Sequence, residues 1–215
     1  MNISITLIII VVTCLVSFGA FSNHKLMDDL IFFPPAVKNN NQWYRFVTCG
    51  FIHADIPHLL FNMYSLYMFG DYVEKACTEI FGDPTGKVIY VSLYIFALIA
   101  CLLPSYNRHK NDYGYRSLGA SGAVSAIIFA GILLFPTLGI GMFFIPLRIP
   151  GFIFGPLYLG VCVYLDRRQK DHINHSAHFW GAIFGIVFLV VMAQVLSSFR
   201  PLQHFAAEVS AYFGR

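Results

Sequence analysis

Six stretches of this chain, at about residues 3–21, 57–73, 88–103, 118–135, 151–165 and 177–196, are apolar almost throughout. A bilayer core about 30 Å thick takes roughly 20 apolar residues per spanning helix, so the stretches fit a bundle of six transmembrane helices with modest connections. Composition agrees: 57% of the residues are hydrophobic and 12% are charged, whereas soluble domains carry about 25% charged residues. The expected fold class is therefore all-α, a polytopic membrane protein forming a single domain over 1–215.

The first apolar run lacks the basic leader of a signal peptide, and its exit, Ser22-Asn23-His24-Lys25, has no small-residue cleavage pattern, so it reads as the first span. The long connection through Ile56 is part apolar and rich in rings, including Trp43, Tyr44, Phe46 and Phe51, as expected of an amphipathic segment lying at the membrane interface. Between the fourth and fifth spans, Gly139, Gly141, Pro146 and Pro150 predict a short extended hairpin rather than helix. The tail after Arg200 is weakly amphipathic and carries no recognisable chemistry. No repeat of fixed period appears, which argues against the repeat-built transporters.

Other classes are disfavoured on simple grounds. The net charge of +3 is spread over several loops and leaves no basic footprint for nucleic acid. The five cysteines contain no CxxC pair. Asp71 and Glu74 fall at the end of the second span rather than at mid-depth, which gives little support to a transport pathway. The histidines His53, His58, His172, His175 and His178 invite a metal reading, but none has the neighbouring Glu of an HExxH helix, so no metal is expected. Orientation is contested. With the N-terminus inside, nine Lys and Arg fall in outer loops and five in inner ones, against the positive-inside rule.

Polar groups inside a membrane are costly, so those at matching depth on different helices are candidates for function. Ser121, in Gly119-Ala120-Ser121-Gly122, opens an apolar helix where backbone N–H groups lack partners. A hydroxyl beside such donors suits acyl transfer, which needs a nucleophile and hydrogen bonds for the developing oxyanion. Taken alone, the same tetrapeptide is more often a small-residue packing face. His178 begins the last span with Gly181 and Gly185 on one face, and a neutral imidazole can take a serine proton. Alone, it is more often an interfacial residue. His58 and Asn62 are four apart and share a helix face, as oxyanion donors or as structural links to neighbouring helices.

His58-xxx-Asn62, Gly119-x-Ser121-Gly122 and Ala177-His178-xx-Gly181-xxx-Gly185, in that order on spans two, four and six, resemble the rhomboid intramembrane proteases. The resemblance extends over about Trp43 to Val187 and includes Trp43-Tyr44-Arg45-Phe46, His53 and Ile145-Pro146. It implies a catalytic dyad of Ser121 as nucleophile and His178 as base. It implies an oxyanion site made by His58, Asn62 and the Ser121 N–H, with Gly119, Gly122, Gly181 and Gly185 packing near the site. It further implies cleavage of single-span membrane protein substrates near the outer membrane face, no cofactor, and a fifth helix that gates entry. Two positions depart from the family: Ser125, where some members place a ring against the histidine, and Asn174, where many have glycine. Phe129 and Trp180 are the rings that could replace the first. The expected home is a bacterial cytoplasmic membrane. The alternative is a catalytically silent rhomboid-like protein that binds transmembrane helices, which would have to carry a defect outside these residues.

Overall fold

The computed structural model describes residues 4–142, 145–168 and 173–214. Helix α1 (Ile5–Phe21) leads into three short helices, α2 (His24–Leu30), α3 (Pro34–Asn40) and α4 (Arg45–Thr48), and a single 3-10 turn at Cys49–Phe51. Next come α5 (Ile56–Phe81), α6 (Thr85–Ala100), α7 (Leu103–His109) and α8 (Ser121–Leu134). The strands β1 (Gly139–Met142) and β2 (Ile145–Pro150) pair antiparallel, the hairpin expected from the turn residues. The chain ends with α9 (Gly151–Arg168), α10 (His175–Leu196) and α11 (Pro201–Phe213).

Helix α8 is the axis of the molecule. It packs against α5, α6, α9, α10 and α11, and every one of its residues except Ser121 and Ile128 is buried. A ring of helices accounts for this burial, because small residues on α8 let its neighbours come close. A Cβ on Gly181 of α10 would stand 2.8 Å from the Gly122 carbonyl carbon, and one on Gly185 would stand 2.8 Å from that of Ala126. Neither glycine could be larger without parting the two helices. Helix α9 is the loosest of the long helices, burying only Gly151, Gly155 and Cys162, and it contains Pro156.

Two expectations are corrected. Helix α5 does not stop near residue 73: it runs on to Phe81, where Gly82 (φ 75°) ends it. Glu74 is therefore an interior residue of α5, and it is buried. Its carboxylate accepts from the backbone N–H of Ile5 (2.8 Å) and Thr6 (2.9 Å) and from the hydroxyls of Ser4 (2.8 Å) and Thr6 (2.8 Å). The acid thus caps the N-terminus of α1, where free N–H groups and the helix dipole both favour negative charge. Glu74→Ala would leave those donors without an acceptor. A loss of about 2–3 kcal/mol in unfolding free energy is expected, readable as a lowered melting temperature in detergent; an unchanged melt would refute this role.

The tail is the second correction. It forms α11, which seats Phe205 against the core while His204 Nε2 donates to the Leu134 carbonyl at 2.9 Å. That bond satisfies one of the carbonyls left open at the C-terminus of α8.

Two helices are both long and apolar enough to cross a membrane, Thr85–His109 and His175–Leu196, among the described residues. Helices α1 and α8 are apolar but shorter. The outward faces of the bundle are greasy: Leu15 on α1, Phe61 on α5 and Val195 on α10 are each more than 60% exposed, which suits lipid rather than water.

Candidate active site

The site forms where the segment before α5 meets the N-termini of α8 and α10. Arg45, buried, holds that segment in shape by donating from Nη1 to the carbonyls of Asp28 (2.7 Å) and Ile31 (2.7 Å) and from Nε to Gln42 Oε1 (2.6 Å). The segment is then stitched to the chain leading into α8. Phe32 and Ser117 exchange backbone hydrogen bonds of 2.9 and 3.0 Å, and the Gly119 N–H donates to the Cys49 carbonyl at 2.9 Å. Gly119 has φ +109°, and a Cβ there would strike the His58 ring, so this position requires glycine twice over.

From that turn Ser121 enters as the first residue of α8. Its N–H and those of the next residues have no carbonyl behind them in the helix and face the open end. Across the interface, the close approach allowed by Gly122, Gly181 and Gly185 brings α10 alongside, and His178 Nε2 lies 2.6 Å from Ser121 Oγ. Asn174 caps α10, its Oδ1 accepting from the Ala177 N–H at 3.0 Å while its Nδ2 donates to Ser117 Oγ at 3.3 Å. The family departure at Asn174 thus ties the histidine's helix to the serine's loop. An N-cap residue before an apolar run is a readable signal, and here it went unused.

His58 stands beside Gly119, its backbone N–H accepted by Asp55 Oδ1 (2.7 Å) at the cap of α5. Asn62 is buried one turn on. It donates one Nδ2 proton to the His58 carbonyl (3.0 Å) and keeps the other. The structure therefore gathers His58, Gly119, Ser121, Gly122, His178 and Gly181 in one place, with Asn62 beneath His58.

The rings take their own course. The His175 ring stands edge-on to His178, centroids 5.9 Å apart. Phe129 lies against Tyr158 at 5.6 Å, and Trp180 lies against Phe179 at 5.4 Å and is 44% exposed. Ser125, where some family members carry a ring, is buried and bonds to the Tyr158 hydroxyl of α9 at 2.8 Å. No three His, Cys, Asp or Glu side chains gather as a metal set among the described residues, and His172 lies outside them. A polar cavity of about 280 Å³, lined by Ser105, Tyr115, Ser117, Asn174 and His175 among others, opens above the α10 N-terminus.

A serine and a histidine thus meet at the N-terminal ends of two apolar helices. A model of the rhomboid domain matches residues 40–195, from the stitched segment through α10. This chain belongs to the rhomboid family. Among its relatives, RHOMBOID-like protein 12, mitochondrial, of Arabidopsis thaliana is 32% identical over 146 residues, 63% of this chain and 42% of that protein. Rhomboid-like protein 11, chloroplastic, of the same plant is 28% identical over 170 residues, 73% of this chain and 55% of that protein. The chain thus spans about half the length of these relatives. Together with the apolar helices, family membership makes this rhomboid an integral membrane protein.

Proposed function

We propose that this rhomboid is an intramembrane serine endopeptidase, working through Ser121 and His178 on single-span membrane protein substrates. The observation that carries the reading is the 2.6 Å contact between His178 Nε2 and Ser121 Oγ at the mouth of α8. A hydroxyl is a weak nucleophile until a base takes its proton, and this pair has the reach to do so. His178 Nε2 takes the Ser121 proton as Oγ attacks the scissile carbonyl carbon. Negative charge then moves to the carbonyl oxygen, where the Ser121 N–H, His58 and the free Asn62 proton can receive it. Collapse breaks the C–N bond, and the leaving amine takes the proton from His178. Water, activated in turn by His178, hydrolyses the ester, and Ser121 regains its hydrogen. No step calls for a cofactor. The polar cavity above α10 offers a route for that water.

Six membrane crossings, by α1, α5, α6, α8, α9 and α10, belong to the same reading, as does a single domain. Exposed apolar faces on these helices support it. Cleavage near the outer face follows if the Ser121 end of the bundle opens there. The bacterial cytoplasmic membrane stands as the proposed location, beside the organelles named for the plant relatives.

Entry of a substrate helix fits best beside α9, which buries fewer residues than any other of the six proposed spanning helices. Beside its apolar packing on the core, α9 makes the Ser125–Tyr158 hydrogen bond to α8, and hydrogen bonds between membrane helices contribute about 0.6 kcal/mol on average. Tyr158→Phe should therefore raise cleavage of an entry-limited substrate about threefold, by the same free energy. A rate that falls instead would place Tyr158 in substrate binding.

The direct test is cleavage of a single-span substrate, with small residues at the outer end of its helix, in proteoliposomes. Cleavage by the parent and none by Ser121→Ala is expected. Equal cleavage by both would remove Ser121 as nucleophile. Binding of the helix by both without cleavage across a substrate panel would turn the reading to a catalytically silent helix binder.

A further inference from the structure

His53 belongs to neither the dyad nor the oxyanion set, yet it is fully buried between His58 and the residue before Ser121. Its ring stands 4.9 Å from that of His58, and each of its nitrogens has a partner. The Nδ1 side faces Ser17 of α1 at 3.0 Å. The Ser17 hydroxyl carries one proton, and that proton is given to the Phe51 carbonyl at 2.9 Å. Ser17 can therefore only accept from His53, which puts the imidazole proton on Nδ1. A neutral imidazole has one such proton, so Nε2 is left with its lone pair. That lone pair faces the Ala120 N–H at 3.4 Å.

Ala120 is the N-cap of α8, one residue before Ser121. With Gly119 held by the Cys49 carbonyl, both peptide N–H groups before the nucleophile are gripped by one short segment, residues 49–53. The grip fixes the peptide planes that aim the Ser121 N–H and Oγ. We infer that His53 is a positioning residue, oriented by Ser17, whose Nε2 lone pair holds the Ala120 N–H and thereby the backbone of the nucleophile. The inference rests on the reading of Ser121 as nucleophile. Burial, and then the neighbouring His58, pushes the His53 pKa down to about 3, so the ring keeps its lone pair at any ordinary pH.

Two readouts test it in reconstituted full-length protein. The first is the side-chain ¹⁵N spectrum of histidine-labelled parent and Ser17→Ala, with His53→Gln used to assign the signals. A bare Nε2 and a protonated Nδ1 are expected in the parent, and a shift toward the other tautomer in Ser17→Ala. A protonated Nε2 in the parent would overturn the inference. The second is kinetic. His53→Ala should lower kcat about 10- to 100-fold, as sub-ångström to ångström misplacement does, with KM within about twofold. His53→Gln, whose amide can accept from Ala120 and donate to Ser17, should recover most of that loss. Equal loss in both variants, following a shared fall in melting temperature, would make His53 merely structural and overturn the assignment. The nitrogen signals need no activity. A parent that neither cleaves nor reacts with a fluorophosphonate at Ser121 therefore counts against the dyad, whereas a wrong tautomer counts against His53 alone.

Discussion

Ser121→Ala, His178→Ala and the double variant are expected to lose cleavage to one common floor, about ten-thousandfold or more below the parent at saturating substrate. The 2.6 Å contact is the reason. A serine whose proton has no acceptor is as inert as no serine, and a base with nothing to deprotonate does nothing, so the two losses are one loss. Additive losses would mean that the residues act in separate steps. Initial rates in proteoliposomes, with circular dichroism to show equal helix content, decide between these outcomes. The residual rate would measure what the donors at the α8 mouth and helix binding contribute alone.

The second large effect is expected at a residue with no reactive atom. Gly181→Ala puts a methyl group against the Gly122 carbonyl, backbone against backbone, where no side chain can swing aside. The helices must part, at a cost of about 1–3 kcal/mol in stability. Parting them by even an ångström should lower kcat about 100-fold, because the dyad spans that interface. Gly160 on α9 provides the control, since a Cβ there meets nothing within 4 Å. Gly160→Ala should leave cleavage unchanged and stabilise α9 by up to about 1 kcal/mol through helix propensity. Loss of activity in both variants would show that glycine itself, not the close approach, is what matters.

How much of this was open to reading in the sequence depended on range. Ser121, His178, His58 and Asn62 could be named because their short motifs, taken together and in order, resemble the rhomboid pattern, whereas each alone reads as packing or as an interfacial residue. The hairpin at 139–150 was legible because its turns are made by Gly and Pro. By contrast, the true length of α5 was hidden: Asp71 and Glu74 look like the end of a span, and only α1 arriving above them turns Glu74 into a buried cap. Ser17 and His53 lie 36 residues apart, and His53 and Ala120 67 apart, with no pattern to join them. The Ser125–Tyr158 link was equally silent, since either residue alone reads as packing. The residues of α11 read in sequence as weakly amphipathic, and their use comes from one histidine reaching the end of α8.

The contrast between α10 and α9 bears on how such a protein can change over generations. The α8–α10 seam is backbone on backbone where Gly181 meets Gly122 and Gly185 meets Ala126, so a side chain added at either α10 glycine would part the joint that brings Ser121 and His178 together. Helix α9 buries only Gly151, Gly155 and Cys162 and packs Phe154, Tyr158 and Leu159 against the core, so its remaining outward side chains are freer to change. On the proposed reading, the chemistry and the choice of substrate would then rest on different helices. If Ser121 and His178 cleave as proposed, a lineage could change its substrates while keeping the α8–α10 joint.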